Sequence, residues 1–119
     1  MSPRILIITN TGDTHSIAVA EALSSLGCEA TLWVTSDFPT RSEETLHFKH
    51  ESATEFRIEG AGFNLSNPVF DVVWRRRPAY VLNSDDLHPA DREFANSECG
   101  IFRSSFVSLL SPQAFWINP

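Results

Sequence analysis

Two short stretches carry the residue types that do chemistry. Thr9-Asn10-Thr11-Gly12-Asp13-Thr14 gathers hydroxyls, an amide and a carboxylate around one glycine, and His15 follows directly. Arg75-Arg76-Arg77 sets guanidinium groups in a row ahead of Pro78. Hydroxyls beside the free backbone N–H groups of a helix start attract anions. Guanidinium forks match carboxylates and phosphates. Both stretches therefore point to binding an anion. Each also admits a plainer reading. Asp13 or Thr14 can cap a helix and complement its dipole, and each arginine can pair with one of the fifteen acidic residues of this same chain. On a strand alternate side chains face opposite sides, so Arg75 and Arg77 are expected to diverge from Arg76.

The remaining reactive side chains do not assemble. His47 and His50 would meet on a helix but point to opposite faces of a strand, which is where the pattern puts them. His88 stands before Pro89 and is expected to face solvent. No G-x-x-x-x-G-K-[ST], G-x-S-x-G or H-E-x-x-H segment occurs, so the local signatures of nucleotide hydrolysis, acyl transfer and zinc hydrolysis are missing. No nucleophile can be paired with a base. Neither catalytic residues nor a metal site is expected. Cys28 and Cys99 lack C-x-x-C spacing and read as reduced, buried small hydrophobes. Reduced thiols fit a cytoplasmic protein.

The elements that must position the two stretches follow from periodicity. Ile5 to Ile8 is a continuous apolar run ending at the first stretch, the mark of a strand buried on both faces. Thr14 to Leu26 predicts a helix, with Val19, Ala22, Leu23 and Leu26 on its buried stripe and Gly27 ending it. Ala30 to Val34 predicts a second strand, completing a β-α-β unit and hence a parallel sheet. Ser36 to Glu44 reads as a loop. Leu46, Phe48, Phe56 and Ile58 suggest two short strands of a hairpin-like insertion, with Gly60 and Gly62 at its bends. Val69 to Arg75 predicts another central strand that runs into the arginines. Pro89 to Leu110 predicts a long helix whose stripe holds Ala95, Cys99, Phe102, Phe106, Leu109 and Leu110. Phe94 and Ile101 form a second wing, either a partner surface or the mark of a helix packed between two layers. Phe115-Trp116-Ile117 closes as a strand. The fold class is α/β, a three-layer sandwich with a mainly parallel, Rossmann-like sheet and a small hairpin insertion. In such sheets ligands sit outside the carboxyl ends of the strands, where both chemical stretches fall.

Composition bounds the rest. The 119 residues fit one domain, and nine Phe with three Trp supply a core. A formal charge of -6 excludes a nucleic-acid partner. The first apolar run is far shorter than the roughly 20 residues of a membrane span, and no secretory signal precedes it.

Two resemblances extend these readings. T-x-T-G-x-T at Thr9 to Thr14 resembles the phosphate loop of flavodoxins and implies an electron carrier binding flavin mononucleotide. Against that stand the negative charge of Asp13 and the lack of a loop aromatic pair to sandwich the flavin. The second resemblance runs end to end. Thr9-Asn10-Thr11-Gly12-Asp13 after the first strand, the helix to Leu26-Gly27, Phe38-Pro39, Val73-Trp74-Arg75-Arg76-Arg77-Pro78 and Trp116-Ile117-Asn118-Pro119 are similar to the pre-ATP-grasp domain of microviridin-type ATP-grasp ligases. These enzymes form ester or amide cross-links in ribosomally made peptides. An aromatic is commoner in that family where Arg75 stands.

The second resemblance implies a non-catalytic N-terminal domain serving substrate-side binding, scaffolding or dimerisation. ATP and Mg belong to the ATP-grasp body that follows W-[IV]-N-P in such ligases, so neither is expected to bind this chain. Alone, the chain is expected not to catalyse; continued into such a body, it would be part of an ATP-dependent carboxylate-amine or ester ligase. The implied partners are that body or a second copy of the chain, together with a precursor peptide. A homodimer would cover an apolar patch.

Overall fold

The computed structural model describes residues 2–39, 41–48, 54–60, 63–66, 69–78, 85 and 87–118. They fall into two compact units. One comprises Met1–Ser36, Val69–Ala79 and Ser111–Pro119, the other Asp37–Pro68 and Tyr80–Leu110.

The first unit is built around β1 (Arg4–Thr9), whose residues from Ile5 onward are all buried. Such burial requires cover on both faces, which is why the run contains no alternating polar residue. β1 lies between β2 (Glu29–Val34) and β6 (Val72–Arg75), and β6 pairs with β7 (Phe115–Ile117); every pairing is parallel and the order is β2-β1-β6-β7. Ile8 sits opposite Trp33 on one side and Arg75 on the other. Asp71 secures the entry to β6: its carboxylate accepts the Arg4 N–H at 2.7 Å and its carbonyl accepts the Phe115 N–H at 2.8 Å.

α1 (Thr14–Ser25) joins β1 to β2. It ends where Gly27 adopts φ 79°, a left-handed conformation open to glycine, and the Cys28 N–H reaches back to the Leu23 carbonyl at 2.9 Å. The buried face of α1 differs from the stripe expected from hydrophobicity. Ser16 is buried and Ala20 and Leu23 are half-buried, whereas Val19 and Ala22 are exposed and Leu26 is 78% exposed. The helix is rotated because Ser16 is drawn into a polar cluster at the end of β1, described below.

The second unit holds a three-stranded antiparallel sheet, β3 (Ser42–His47), β4 (Glu55–Gly60) and β5 (Phe63–Ser66), together with α2 (Pro89–Leu109). The insertion thus has one strand more than the pattern predicts, and β3 begins inside the stretch expected to be loop. Its strands are short and mostly polar, so only one face alternates clearly: Ser42 and Glu44 are buried while Glu43, Thr45 and His47 are exposed. The bend expected at Gly62 lies outside the described residues. α2 begins at Pro89, and His88 caps it by accepting the Ala90 N–H on Nδ1 at 3.1 Å. Phe106 is buried and meets Phe56 edge-on at 5.5 Å.

The buried residues of α2 are Arg103, Phe106, Val107 and Leu110 at its end. Cys99 and Phe102 are half-buried, and Leu109 is exposed. Arg103 sits inside this apolar face because Glu44 meets it there. Its Nε donates to Glu44 Oε2 at 2.9 Å, and its Cζ lies 4.8 Å from the centre of the Phe38 ring, which stacks on Phe102. Burial pushes the Glu44 carboxyl up to about 7 against the pull of Arg103. On the second wing of α2, Phe94 is 70% and Ile101 59% exposed.

The α/β class, the mainly parallel sheet and the antiparallel insertion are all present as the sequence predicts. Cys28 and Cys99 are free, half-buried thiols. Among the described residues no helix is long and apolar enough to cross a membrane.

Candidate functional site

Sheet order places the two chemical stretches side by side. The chain leaves β1 towards β2, on one side, and its next strand after β6 is β7, on the other. The connections after β1 and β6 therefore run to opposite sides from adjacent strands, the arrangement at which open α/β sheets bind ligands.

The first loop turns at Gly12, whose φ of 80° favours a residue without a side chain. Asp13 then occupies the N-cap position of α1, but its side chain makes no capping bond. The capping role open to it in the sequence is not the one it plays. Its Oδ2 accepts the Thr9 hydroxyl at 2.8 Å and stands 3.5 Å from Arg76 Nε, an ion pair too long for a strong hydrogen bond. Ser16 donates its hydroxyl to the Asp13 carbonyl at 2.9 Å and lies 3.3 Å from Thr9 Oγ1. Thr35 donates to the Thr9 carbonyl at 3.1 Å. The hydrogen bond from Thr9 does most to hold the Asp13 carboxyl below its ordinary range; burial opposes this, and Ser16 and Arg76 add to the lowering.

Arg76 extends the β1–β6 ladder by giving its backbone N–H to the Ile8 carbonyl at 2.8 Å. Two residues back on the same face, Trp74 places its ring centre 5.8 Å from the guanidinium carbon. The side chain is 21% exposed, with Nε out of solvent.

Thr9, Asp13 and Arg76 are thus brought together, with Ser16 and Thr35 behind them. Thr11 turns instead to Ser36: their hydroxyl oxygens lie 3.1 Å apart, and the Thr11 N–H points to Ser36 Oγ at 3.4 Å. Asn10 is half-buried at the strand end, while Thr14 and His15 are exposed on the first turn of α1. Arg75 is half-buried opposite Ile8, and Arg77 is exposed. Arg76 reaches the first loop through Asp13. Ser16, Thr35 and Ser36 were not singled out from the sequence. Their signal is topological: parallel pairing of β1 with β2 brings the hydroxyls after Val34 beside those after Ile8. Among the described residues no group of three or more His, Cys, Asp and Glu is placed to hold a metal ion, and His50 lies outside them.

A match to the MvdD pre-ATP grasp domain covers residues 4–119. The chain belongs to this family. Its fold is shared with MdnC of Microcystis aeruginosa MRC, a macrocyclase whose crystal structure holds the precursor peptide MdnA. The TM-score is 0.81 at 27% identity, over 98% of this chain and 37% of MdnC. The macrocyclase MdnB from the same organism superposes with TM-score 0.81 at 24% identity, over 96% of this chain and 37% of MdnB. A RiPP-associated ATP-grasp ligase of Chryseobacterium gregarium, solved with ADP and a leader and core peptide, gives TM-score 0.80 at 24% identity, over 99% of this chain and 35% of that one. At that identity the last two show the fold alone. The chain spans little more than a third of the length of these ligases, 37% in the case of MdnC. No curated protein sequence matches it. The pre-ATP-grasp family of RiPP ATP-grasp ligases, expected from the V-W-R-R-R-P and W-I-N-P segments, is therefore the family of this chain.

Proposed function

We propose that this pre-ATP-grasp domain is the non-catalytic, peptide-side module of a microviridin-type ATP-grasp ligase acting on ribosomally made peptides in the cytoplasm. It helps bind and orient an acidic segment of the precursor peptide, while ATP and Mg are handled by the ATP-grasp body found in such ligases. The observation that carries this reading is Arg76, set beside Asp13 where the β1 and β6 loops meet, with a side chain still 21% exposed. The peptide held by MdnC supports it by analogy. The exposed apolar residues Val19 and Leu26 on α1, and Phe94 and Ile101 on α2, are the surfaces this reading assigns to the ATP-grasp body or to a second copy of the chain.

The flavin reading finds no support in the loop. A flavin phosphate on the first turn of α1 would meet the Asp13 carboxylate, which its hydrogen bonds favour in the charged form. The residues do not fit that group.

The test is titration of a synthetic peptide rich in Glu, and of its Gln counterpart, against the wild type, Arg76→Ala and Arg77→Ala. The Glu peptide is expected to bind the wild type preferentially and to lose about tenfold in affinity with Arg76→Ala, the worth of a charge-assisted hydrogen bond. Equal affinity of the wild type for the two peptides would remove the arginine from the reading.

A further inference from the structure

We propose that Asp13 is a positioning residue: it holds Arg76 by the Nε edge and leaves the terminal amino fork of the guanidinium to grip a single carboxylate of the peptide. This rests on the peptide-side reading of the site and goes beyond it by naming the group that sets the guanidinium in place and the chemistry the fork accepts.

The geometry separates the two edges of the guanidinium. Nε is out of solvent, with Asp13 Oδ2 3.5 Å away and no hydrogen-bond acceptor. The terminal amino groups have no acceptor among the described residues, and the side chain as a whole is 21% exposed. The Trp74 ring at 5.8 Å restricts the plane of the group, and the backbone bond from Arg76 to Ile8 anchors its base. Asp13 is held in turn: Thr9 donates to the same oxygen that faces Arg76, and Ser16 ties both the Asp13 carbonyl and the Thr9 hydroxyl. An arginine on a strand end would ordinarily sample many rotamers and lose that freedom on binding. One paired with Asp13 along its inner edge and restricted by the Trp74 ring loses less.

The charge count selects the ligand. One guanidinium faces one buried carboxylate, so this pair carries no net charge. A phosphate dianion would leave two negative charges in excess beside Asp13 and a carboxylate only one, and the planar carboxylate matches the fork with two parallel N–H···O bonds. Arg77, exposed and without a restraining partner among the described residues, is the internal comparison.

The experiment combines side-chain nitrogen NMR of Arg76 with the Glu and Gln peptides, at fixed ionic strength, on the full chain. In the wild type the Arg76 Nε–H is expected to exchange with water more slowly than that of Arg77. Asp13→Asn is expected to erase that difference and to weaken the Glu peptide by about fivefold, within the range for two residues of one polar network, without changing the Gln peptide. Thr9→Val keeps Asp13 and loosens it, so a smaller loss in the same direction is expected even if Asp13→Asn folds poorly. Two results overturn the proposal while leaving the peptide reading intact. One is full affinity in Asp13→Asn and Thr9→Val when Arg76→Ala has lost it; the other is equal exchange at Arg76 and Arg77 in the wild type. Inorganic phosphate displacing the Glu peptide at lower concentration than acetate overturns the carboxylate assignment. Full affinity in Arg76→Ala overturns both readings together.

Discussion

Arg103 of α2 pairs with Glu44 on β3: its Nε donates to Oε2 at 2.9 Å and its Nη2 stands 2.7 Å from Oε1 as an ion pair, with both side chains buried. Desolvating two charges costs several kcal/mol, which their attraction only about offsets. Removing one partner is a different matter, because it strands the other charge in the interior. Glu44→Leu or Arg103→Met alone is expected to cost about 3–5 kcal/mol, and the double replacement to recover most of that loss. Urea unfolding of the singles and the double measures the coupling. Strictly additive losses would show that the two do not act as a pair.

The same carboxyl sets a pH dependence with a definite sign. Glu44 is raised from 4.5 to about 7 by burial, with Arg103 opposing. Between those values the folded chain binds more protons than the unfolded one, so the stability contributed by this group falls as pH rises through the window. Asp13 behaves oppositely. Its carboxyl is lowered, chiefly by Thr9, so its contribution is present above its unfolded value of 3.8 and is lost as pH falls below it. Unfolding midpoints between pH 3 and 8 are expected to lose the acid-side decline in Asp13→Asn and the decline between pH 4.5 and 7 in Glu44→Gln. An unchanged profile in Glu44→Gln would refute the assignment of that slope.

The parallel sheet was legible because burial on both faces leaves an unbroken apolar signature. Ile5 to Ile8 can hardly be anything else, and strand order then fixes which loops meet. The position of the arginine segment was legible as the end of a central strand, and in the structure it is Arg76 that stands beside Asp13. Arg103 was not. A lone charge reads as a solvated face, although its spacing to Phe106, Val107 and Leu110 places it on the buried stripe of the helix. Asp13 was visible as a cap, yet its role depends on Arg76, which lies far away in sequence and near only through the pairing of β1 with β6. Hydroxyls such as Ser16 carry no hydrophobic signal, so a helix rotated to bury one escapes periodicity.

Three glycines give a test of backbone against space. A Cβ at Gly12 or at Gly100 meets nothing within 4 Å, but Gly12 has φ 80° whereas Gly100 lies within α2. Gly12→Ala is therefore expected to destabilise by roughly 1 kcal/mol through backbone strain alone. Gly100→Ala is expected to stabilise by about 0.5–1 kcal/mol, the helix preference of alanine. Gly27, at φ 79°, is expected to follow Gly12. Thermal unfolding of the three variants checks the signs, and a stabilising Gly12→Ala would mean that the turn after β1 does not need a left-handed residue.

Hydrophobicity alone places Leu23 and Leu26 on one buried stripe, whereas the folded chain half-buries Leu23 and leaves Leu26 78% exposed. Transfer free energy follows the area removed from water, so the two leucines should behave differently on truncation. Leu23→Ala is expected to cost about 1–2 kcal/mol in the isolated chain, less than a fully buried leucine because its site is only half closed. Leu26→Gln is expected to stay within about 0.5 kcal/mol of the wild type. The same contrast holds on α2, where Phe106→Ala is expected to cost about 3–5 kcal/mol and Ile101→Ser almost nothing. Chemical denaturation of the four variants decides the point. A loss at Leu26 as large as that at Leu23 would mean that α1 sits on the sheet by the hydrophobic stripe after all, and would remove Ser16 from the cluster that orders Asp13.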